Sequence, residues 1–492
     1  MREAAHLRSR YRTMAAHIAL IVAFVGLLLF VPLAAACSHT MTGATVLAFA
    51  VPALVLTIVG LVVWRAGGPV HAVLTLPEGG VIVLVAWAIA CLAGAIPLAI
   101  VERLGFAQAV FESVSGWTTT GLSVLDVAQA APATLLWRST MQLAGGAGLA
   151  VLMLAAVTSP GGMSLSVAEG HTDQLAPNVR NSAALVLRIY AAYVLVGIVA
   201  LRAAGMDWFD AVNHAFCALS TGGFSTRTDS IGAWDSPTIE GVTIVLMVLG
   251  SLNFLTSWCL LRGRLRAVAQ NGEMRLMAVC LPVAAVLVGV LTCAPLYATA
   301  AKSVRVALFE TVSALTTTGF STVGYREWNG FGVLVLIVLM LIGAGTCSTG
   351  GALKQQRVYV LFRLLVHELA RPFRPRAAVG AEHVWLGEDR VVVTDAHARS
   401  VAVFAFAYVV TWLAGSAVLA AHGAPLQDAL FEYASTLGTV GLSIGITGPG
   451  TPDSVLWAET AGMLLGRLEF FVIFASAGKL VLDGRRMARP GA

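Results

Sequence analysis

Residues 113–123 read SVSGWTTTGLS, a small, hydroxylated run closed by a glycine in a chain that is otherwise strongly apolar. Of its 492 residues, 58% are hydrophobic and 12% charged, and the mean hydropathy is +0.83. A soluble domain carries about 25% charged residues, so this chain cannot cover itself with a water-facing surface. Runs such as Ala44–Trp64 supply the roughly 20 helical residues that cross a hydrocarbon core of about 30 Å. The composition therefore predicts an all-α polytopic membrane protein. In such a protein, non-helical backbone must be buried or line an aqueous path. A glycine-closed polar turn at membrane depth thus needs a reason.

The turn is repeated. Thr119-Thr120-Gly121-Leu122-Ser123 returns as Thr221-Gly222-Gly223-Phe224-Ser225, as Thr317-Thr318-Gly319-Phe320-Ser321, and as Thr439-Val440-Gly441-Leu442-Ser443. The glycines stand roughly a hundred residues apart, the period of a duplicated two-helix unit rather than of a solenoid. Nine residues before each glycine is a polar side chain: Glu112, His214, Glu310 and Glu432. Helix-compatible sequence such as FESVSGW and FETVSAL lies between.

Each copy reads as apolar span, short helix, turn, apolar span. The expected division is an N-terminal two-helix unit (1–70), repeat 1 (71–181), repeat 2 (182–270), repeat 3 with a broken second helix (271–366), a cytoplasmic connection (367–398) and repeat 4 (399–492). Two spans per copy give every copy the same orientation, so the four fit around one pseudo-four-fold axis normal to the membrane. The expected total is ten spans and four re-entrant half-helices.

The formal charge of +5 is explained by placement rather than by nucleic acid. Basic clusters at Arg2/Arg8/Arg10/Arg12, Arg262/Arg264/Arg266, Arg371/Arg374/Arg376 and Arg485/Arg486/Arg489 all fall on one side when the spans are counted. That is the positive-inside pattern, and it puts both termini in the cytoplasm. The seven cysteines (37, 91, 217, 259, 280, 293, 347) show no metal spacing and read as buried free thiols. LAAAC at 33–37 has the look of a lipoprotein signal, but Ala34 occupies the leucine position and a second apolar run follows at once. Two antiparallel helices are the better reading.

The chemistry of the turn suits a monovalent cation. Four non-helical loops at one depth around an axis aim their carbonyls at that axis, and a ring of carbonyl oxygens replaces an ion's water shell. Glycine permits the backbone conformation other residues resist. The preceding short helix directs its negative C-terminal end towards the centre.

On these residues the chain resembles the Trk/Ktr/HKT superfamily of potassium transporters, over essentially its whole length. The extra N-terminal pair, WRSTMQLAGGAGLAVL (137–152) and GMLLGRLEFF (462–471) are similar to its TrkH/TrkG branch. The resemblance implies K+ uptake across the cytoplasmic (inner) membrane through one pore per chain, with K+ as the transported ion and no organic cofactor. It implies ion ligands from the backbone of Thr119, Thr120, Gly121, Thr221, Gly222, Gly223, Thr317, Thr318, Gly319, Thr439, Val440 and Gly441. Gly222 and Val440 depart at the middle position, and His214 replaces an acid. A homodimer and a cytosolic, TrkA-like nucleotide-binding regulatory subunit are expected partners, together with membrane lipid.

GAGTCSTGGALK (343–354) sets Gly343, Gly345, Gly350 and Gly351 inside an apolar span, where each glycine costs roughly 1 kcal/mol against alanine. It reads either as close helix packing or, preferred and in line with the resemblance, as an intramembrane gate below the filter. Arg467, near the middle of the last span, is expensive there. It reads as a pore-facing barrier or as a structural partner of Glu469 or another acid. Glu112, Glu310 and Glu432 read as braces for the short helices, and Lys354 as a solvated cytoplasmic lysine by default, with a gate partner as the alternative. HVWLGEDRVVV (383–393) alternates around Gly387-Glu388-Asp389 and predicts a small hairpin.

No Walker or dinucleotide motif is present, so nucleotide regulation must come from another polypeptide. Nothing suggests an enzyme. Two transport readings stay open: a potential-driven channel-like pore, and a symporter coupling K+ to protons or sodium with His214 or a glutamate titrating.

Overall fold

The computed structural model describes residues 2–67, 74–148, 179–373, 383–386 and 389–488. The far end of repeat 1 near Val157, the tip of the hairpin at 387–388, and Arg374, Arg376 and Arg489 lie outside them. The described chain is almost entirely helical, as the composition requires. Its surface inverts the soluble pattern. Leu47, Ile58, Val62, Leu195, Val196 and Phe406 are exposed, while Ser113, Thr118–Thr120, His214 and Glu432 are fully buried. Lipid is the solvent for the outside of this molecule.

Helix Arg2–Leu28 leads through a 3-10 segment, Val31–Cys37, into helix Gly43–Ala66, the expected N-terminal pair. The two cross closely because Gly60 meets the backbone of Ala19 and Ala23 where a Cβ would not fit. The pair is tied to the rest at one end, where Arg10 pairs with Glu78 and Tyr11 donates to Asp483 at 3.1 Å.

Four short helices follow the template: Phe106–Trp117, Trp208–Leu219, Ala300–Leu315 and Leu426–Gly438. Each packs against the long helix that precedes it. The helices after the loops begin at Pro132, Pro237, Gly330 and Asp453, and each packs on the short helix of the following copy, the last closing on the first. The four units therefore form a closed ring in sequence order.

Six described helices are long and apolar enough to cross a membrane alone, seven if one bent pair counts as a single span. The difference from ten arises in the helices after the loops. In repeat 2 the expected second span is two helices, Pro237–Ser251 and Phe254–Leu261, bent by 117°. In repeat 4 the expected second span breaks at Glu469, whose φ is +60°. Repeat 3 breaks where expected, between Gly330–Ile342 and Gln355–Ala370. The predicted hairpin pairs His383–Leu386 with Asp389–Val392 antiparallel. None of the seven cysteines forms a disulfide, and Cys37 is exposed and Cys280 half-buried where burial was expected.

Candidate ion-conducting site

Each short helix ends in the same way. Thr119, Thr221, Thr317 and Thr439 adopt φ of +57°, +51°, +54° and +50°, a left-handed conformation that costs a β-branched residue of order 1–3 kcal/mol. Four threonines do not share that strain by accident. The backbone they create turns the next amide back onto the helix: Thr120 N donates to Ser115 O at 2.9 Å, Gly222 N to Cys217 O at 2.8 Å, Thr318 N to Ser313 O at 3.0 Å and Val440 N to Ser435 O at 2.8 Å. Gly121 N and Gly441 N continue this by donating to the hydroxyls of Ser115 and Ser435 at 3.0 and 2.9 Å. These bonds occupy the loop amides on the side of the short helix.

The glycines show how the loops meet. Gly121, Gly223, Gly319 and Gly441 have φ of +92°, +75°, +82° and +98°. A Cβ on Gly121 would overlap Gly222 O, one on Gly223 would overlap Thr318 O, one on Gly319 Val440 O, and one on Gly441 Thr120 O. Each glycine thus abuts the middle carbonyl of the next copy, and the cycle closes. All twelve residues named from the sequence belong to this ring.

The polar residues nine before each glycine brace the chain beyond the loops. Glu112 accepts from Ser123 Oγ at 2.9 Å and Val124 N at 2.9 Å. Glu310 accepts from Thr322 N at 2.8 Å and from Tyr325 Oη. Glu432 accepts from Ser443 Oγ at 2.6 Å and Ile444 N at 2.9 Å. His214 reproduces one of these bonds, Nε2 to Ser225 Oγ at 2.9 Å, while Nδ1 faces Asp210 O at 2.8 Å.

Sequence reasoning missed Arg138. Its Nε donates to Glu112 at 2.7 Å with both side chains buried, and its guanidinium lies 3.8 Å over the Phe224 ring of the next copy. An arginine inside WRSTMQ was the available signal. Removing one partner of a buried pair costs about 3–5 kcal/mol. Arg138→Ala is therefore expected to lower the thermal midpoint of detergent-purified protein sharply, with Glu112→Gln/Arg138→Met recovering most of the loss.

The glycine-rich segment 343–354 lies directly against the threonines of the ring. Thr349 Oγ1 bonds Thr221 Oγ1 at 3.1 Å, Gly351 N donates to Thr317 Oγ1 at 3.1 Å, and a Cβ on Gly351 would overlap Thr439 Oγ1. Gly350 packs against Thr317. Gly345 N donates to Ser251 O at 3.0 Å, so the segment also fills the bend in repeat 2. Gly343 takes φ +76° as the last turn of its helix unwinds.

Arg467 reaches this segment. Nη1 donates to Thr349 O, and Nη2 to Gly145 O at 2.7 Å. Glu469 pairs with Arg357 at 2.7 Å. Lys354 departs from the solvated reading: it is part-buried and donates to Gly350 O within the glycine-rich segment.

The chain matches the family model described as TrkH, cation transport protein, over residues 59–481. The chain belongs to the TrkH family. It is 31% identical to the Trk system potassium uptake protein TrkH of Escherichia coli over 429 residues, 84% of this chain and 88% of that one. The TrkH of Halomonas elongata is 32% identical over 413 residues, 80% and 84% of the two chains. The crystal structure of the potassium transporter TrkH from Vibrio parahaemolyticus superposes with a TM-score of 0.81 at 27% identity, covering 97% of this chain and all of that one. TrkH membership makes this a multi-pass membrane transport protein, in agreement with the all-α architecture.

Proposed function

We propose that this chain is the pore-forming subunit of a potassium uptake system. K+ passes through the centre of the ring, coordinated by carbonyls of Thr119–Gly121, Thr221–Gly223, Thr317–Gly319 and Thr439–Gly441, and residues 343–354 with Arg467 form the gate. The observation that carries this reading is the closed cycle in which each loop glycine abuts the next copy's carbonyl. The ion is named from the relatives, which are Trk potassium uptake proteins. A carbonyl ring substitutes for hydration water at a dehydrated cation, and no group on the chain need change charge for the ion to move.

The basic clusters support an inner-membrane orientation with both termini cytoplasmic. The homodimer and the cytosolic TrkA-like nucleotide-binding subunit belong to the same proposal. Reconstitution tests its core: in liposomes, a K+ gradient alone drives uptake at zero pH and sodium gradients. A flux that requires either second gradient overturns the channel reading.

One observation favours the symport alternative. Glu459 is fully buried, accepts from Thr447 Oγ1 at 2.8 Å, and its Oε2 has no hydrogen-bond partner among the described residues. A proton carrier needs such a carboxyl. The channel reading expects Glu459→Gln to leave the pH dependence of uptake unchanged. Uptake that rises with an inward proton gradient in the parent, and loses that response in Glu459→Gln, decides for coupling.

A further inference from the structure

The four copies differ at one buried position that touches the ring. The eleventh residue of each helix after a loop is Gln142 in the helix beginning at Pro132, then Met247, Met340 and Met463 in those beginning at Pro237, Gly330 and Asp453. All four are fully buried. Each of these helices packs on the short helix of the following copy. The middle residues of the loops in those following copies are Gly222 after the helix with Gln142, then Thr318, Val440 and Thr120 after the helices with the methionines. The one loop with no side chain at its middle residue follows the one helix that carries an amide instead of a thioether at this position.

The fit is direct. The three atoms nearest to a Cβ built on Gly222 are Gln142 Cδ, Oε1 and Nε2, so the carboxamide fills the space that a side chain takes elsewhere. It also bonds the loop at both ends. Nε2 donates to Gly222 O at 2.6 Å, and Oε1 accepts from Phe224 N at 3.2 Å. In repeats 1 and 3 the middle threonines hold themselves, Thr120 to Thr118 at 2.7 Å and Thr318 to Thr316 at 2.8 Å between hydroxyls. The Gly222-Gly223 pair has no such anchor of its own, and two successive glycines are the most permissive backbone in the ring.

We infer that Gln142 is a positioning residue for cation selectivity: its carboxamide substitutes for the missing side chain of the second loop and fixes the direction of the Gly222 carbonyl. A carbonyl oxygen has two lone pairs. Gln142 engages one and leaves the other for the ring. This inference rests on the reading of the loops as the filter.

The test is the K+/Na+ uptake ratio of full-length protein in liposomes. Gln142→Leu keeps the volume and removes both hydrogen bonds. Gln142→Glu keeps the acceptor for Phe224 N and replaces the donor to Gly222 O with an oxygen. Both are expected to lower the ratio about tenfold, the effect of losing a buried hydrogen-bond partner. The melting temperature of Gln142→Leu stays close to the parent. Gln142→Met/Gly222→Thr, which gives these two positions the residue types found for the loops of repeats 1 and 3 and restores a middle threonine, is expected to return the ratio to within about threefold. A folded Gln142→Leu whose ratio stays within about twofold of the parent overturns the inference. Gly121→Ser in the same assay separates the failures: if it shifts the ratio while Gln142→Leu does not, the filter reading stands and Gln142 is only packing. If neither shifts it, the filter reading fails as well.

Discussion

Gly121→Ser is expected to cut the preference for K+ over Na+ by tenfold or more, and Gly441→Ser to do the same. Two costs coincide at these positions. Gly121 and Gly441 hold φ of +92° and +98°, and an L-residue in left-handed backbone costs about 1–2 kcal/mol. The new Cβ would also overlap Gly222 O or Thr120 O. The loop relieves both by rotating away from the axis and carrying its neighbour's oxygen with it. A filter discriminates by the number and placement of its oxygens, and each 1.4 kcal/mol of lost difference between two ions is a factor of ten. The measurement is the flux of K+, Rb+ and Na+ into liposomes under matched gradients. Total flux is expected to fall less than selectivity, because a widened ring still conducts. A serine variant that folds and retains the parent ion ratios removes these glycines from the filter. Gly205, which has φ +116° but no atom within 4 Å of its Cβ position, supplies the control: Gly205→Ser carries the backbone cost and is expected to leave selectivity alone.

The ring was legible in the sequence because its chemistry is local. Threonine in left-handed backbone, glycine two residues later and a brace nine residues before are all features of one short segment, repeated four times. The break in repeat 3 was legible for a similar reason: Gly343, Gly345, Gly350 and Gly351 concentrate helix-breaking cost in one span. The other breaks were not. Ser251–Asn253 and Glu469 contain neither glycine nor proline, and only part of what holds them is local. Asn253 caps a new helix by accepting from Leu255 N at 2.8 Å, Ser251 O receives Gly345 N from the gate segment, and Glu469 is held by Arg357. Gln142 and Arg138 were visible only as polar residues in an apolar span. Glu112, the ion-pair partner of Arg138, is in the same copy, but Gly222 and Phe224 lie in the next one, and the packing order of the ring is what brings them together.

That packing order also explains how a symmetric ring acquires a one-sided cover. Among the described residues, only repeat 3 contributes a long unwound segment within the span after its loop, and it reaches threonines of three copies: Thr221, Thr317 and Thr439. On the side of the fourth, Arg467 spans the gap by bonding Thr349 O and Gly145 O, and Gly145 packs against Trp117 at the end of the first short helix. Repeats 1 and 4 thereby hold the segment that repeat 3 supplies.

Arg467→Ala is accordingly expected to raise K+ flux about tenfold or more. Two charge-assisted hydrogen bonds are lost, each worth about 1.5–3 kcal/mol, and the segment under the threonines is freed from its anchor on repeat 1. A fixed positive charge is removed as well. At a separation of ~10 Å and an effective dielectric of ~20, a guanidinium opposes K+ by about 1.7 kcal/mol, so both changes act in the same direction. Arg467→Lys is expected to fall between. It keeps the charge, but one ammonium lacks the planar fork that serves two carbonyls at once. If barrier and anchor contribute separately, Arg467→Gln, neutral and still able to donate, should conduct more than Arg467→Lys and less than Arg467→Ala. Flux through Arg467→Ala that is equal to or below the parent, in protein that elutes and melts normally, shows that the arginine supports the fold without restraining the gate. An increase accompanied by unchanged K+/Na+ ratios places its action on the gate segment and leaves the ring above it intact.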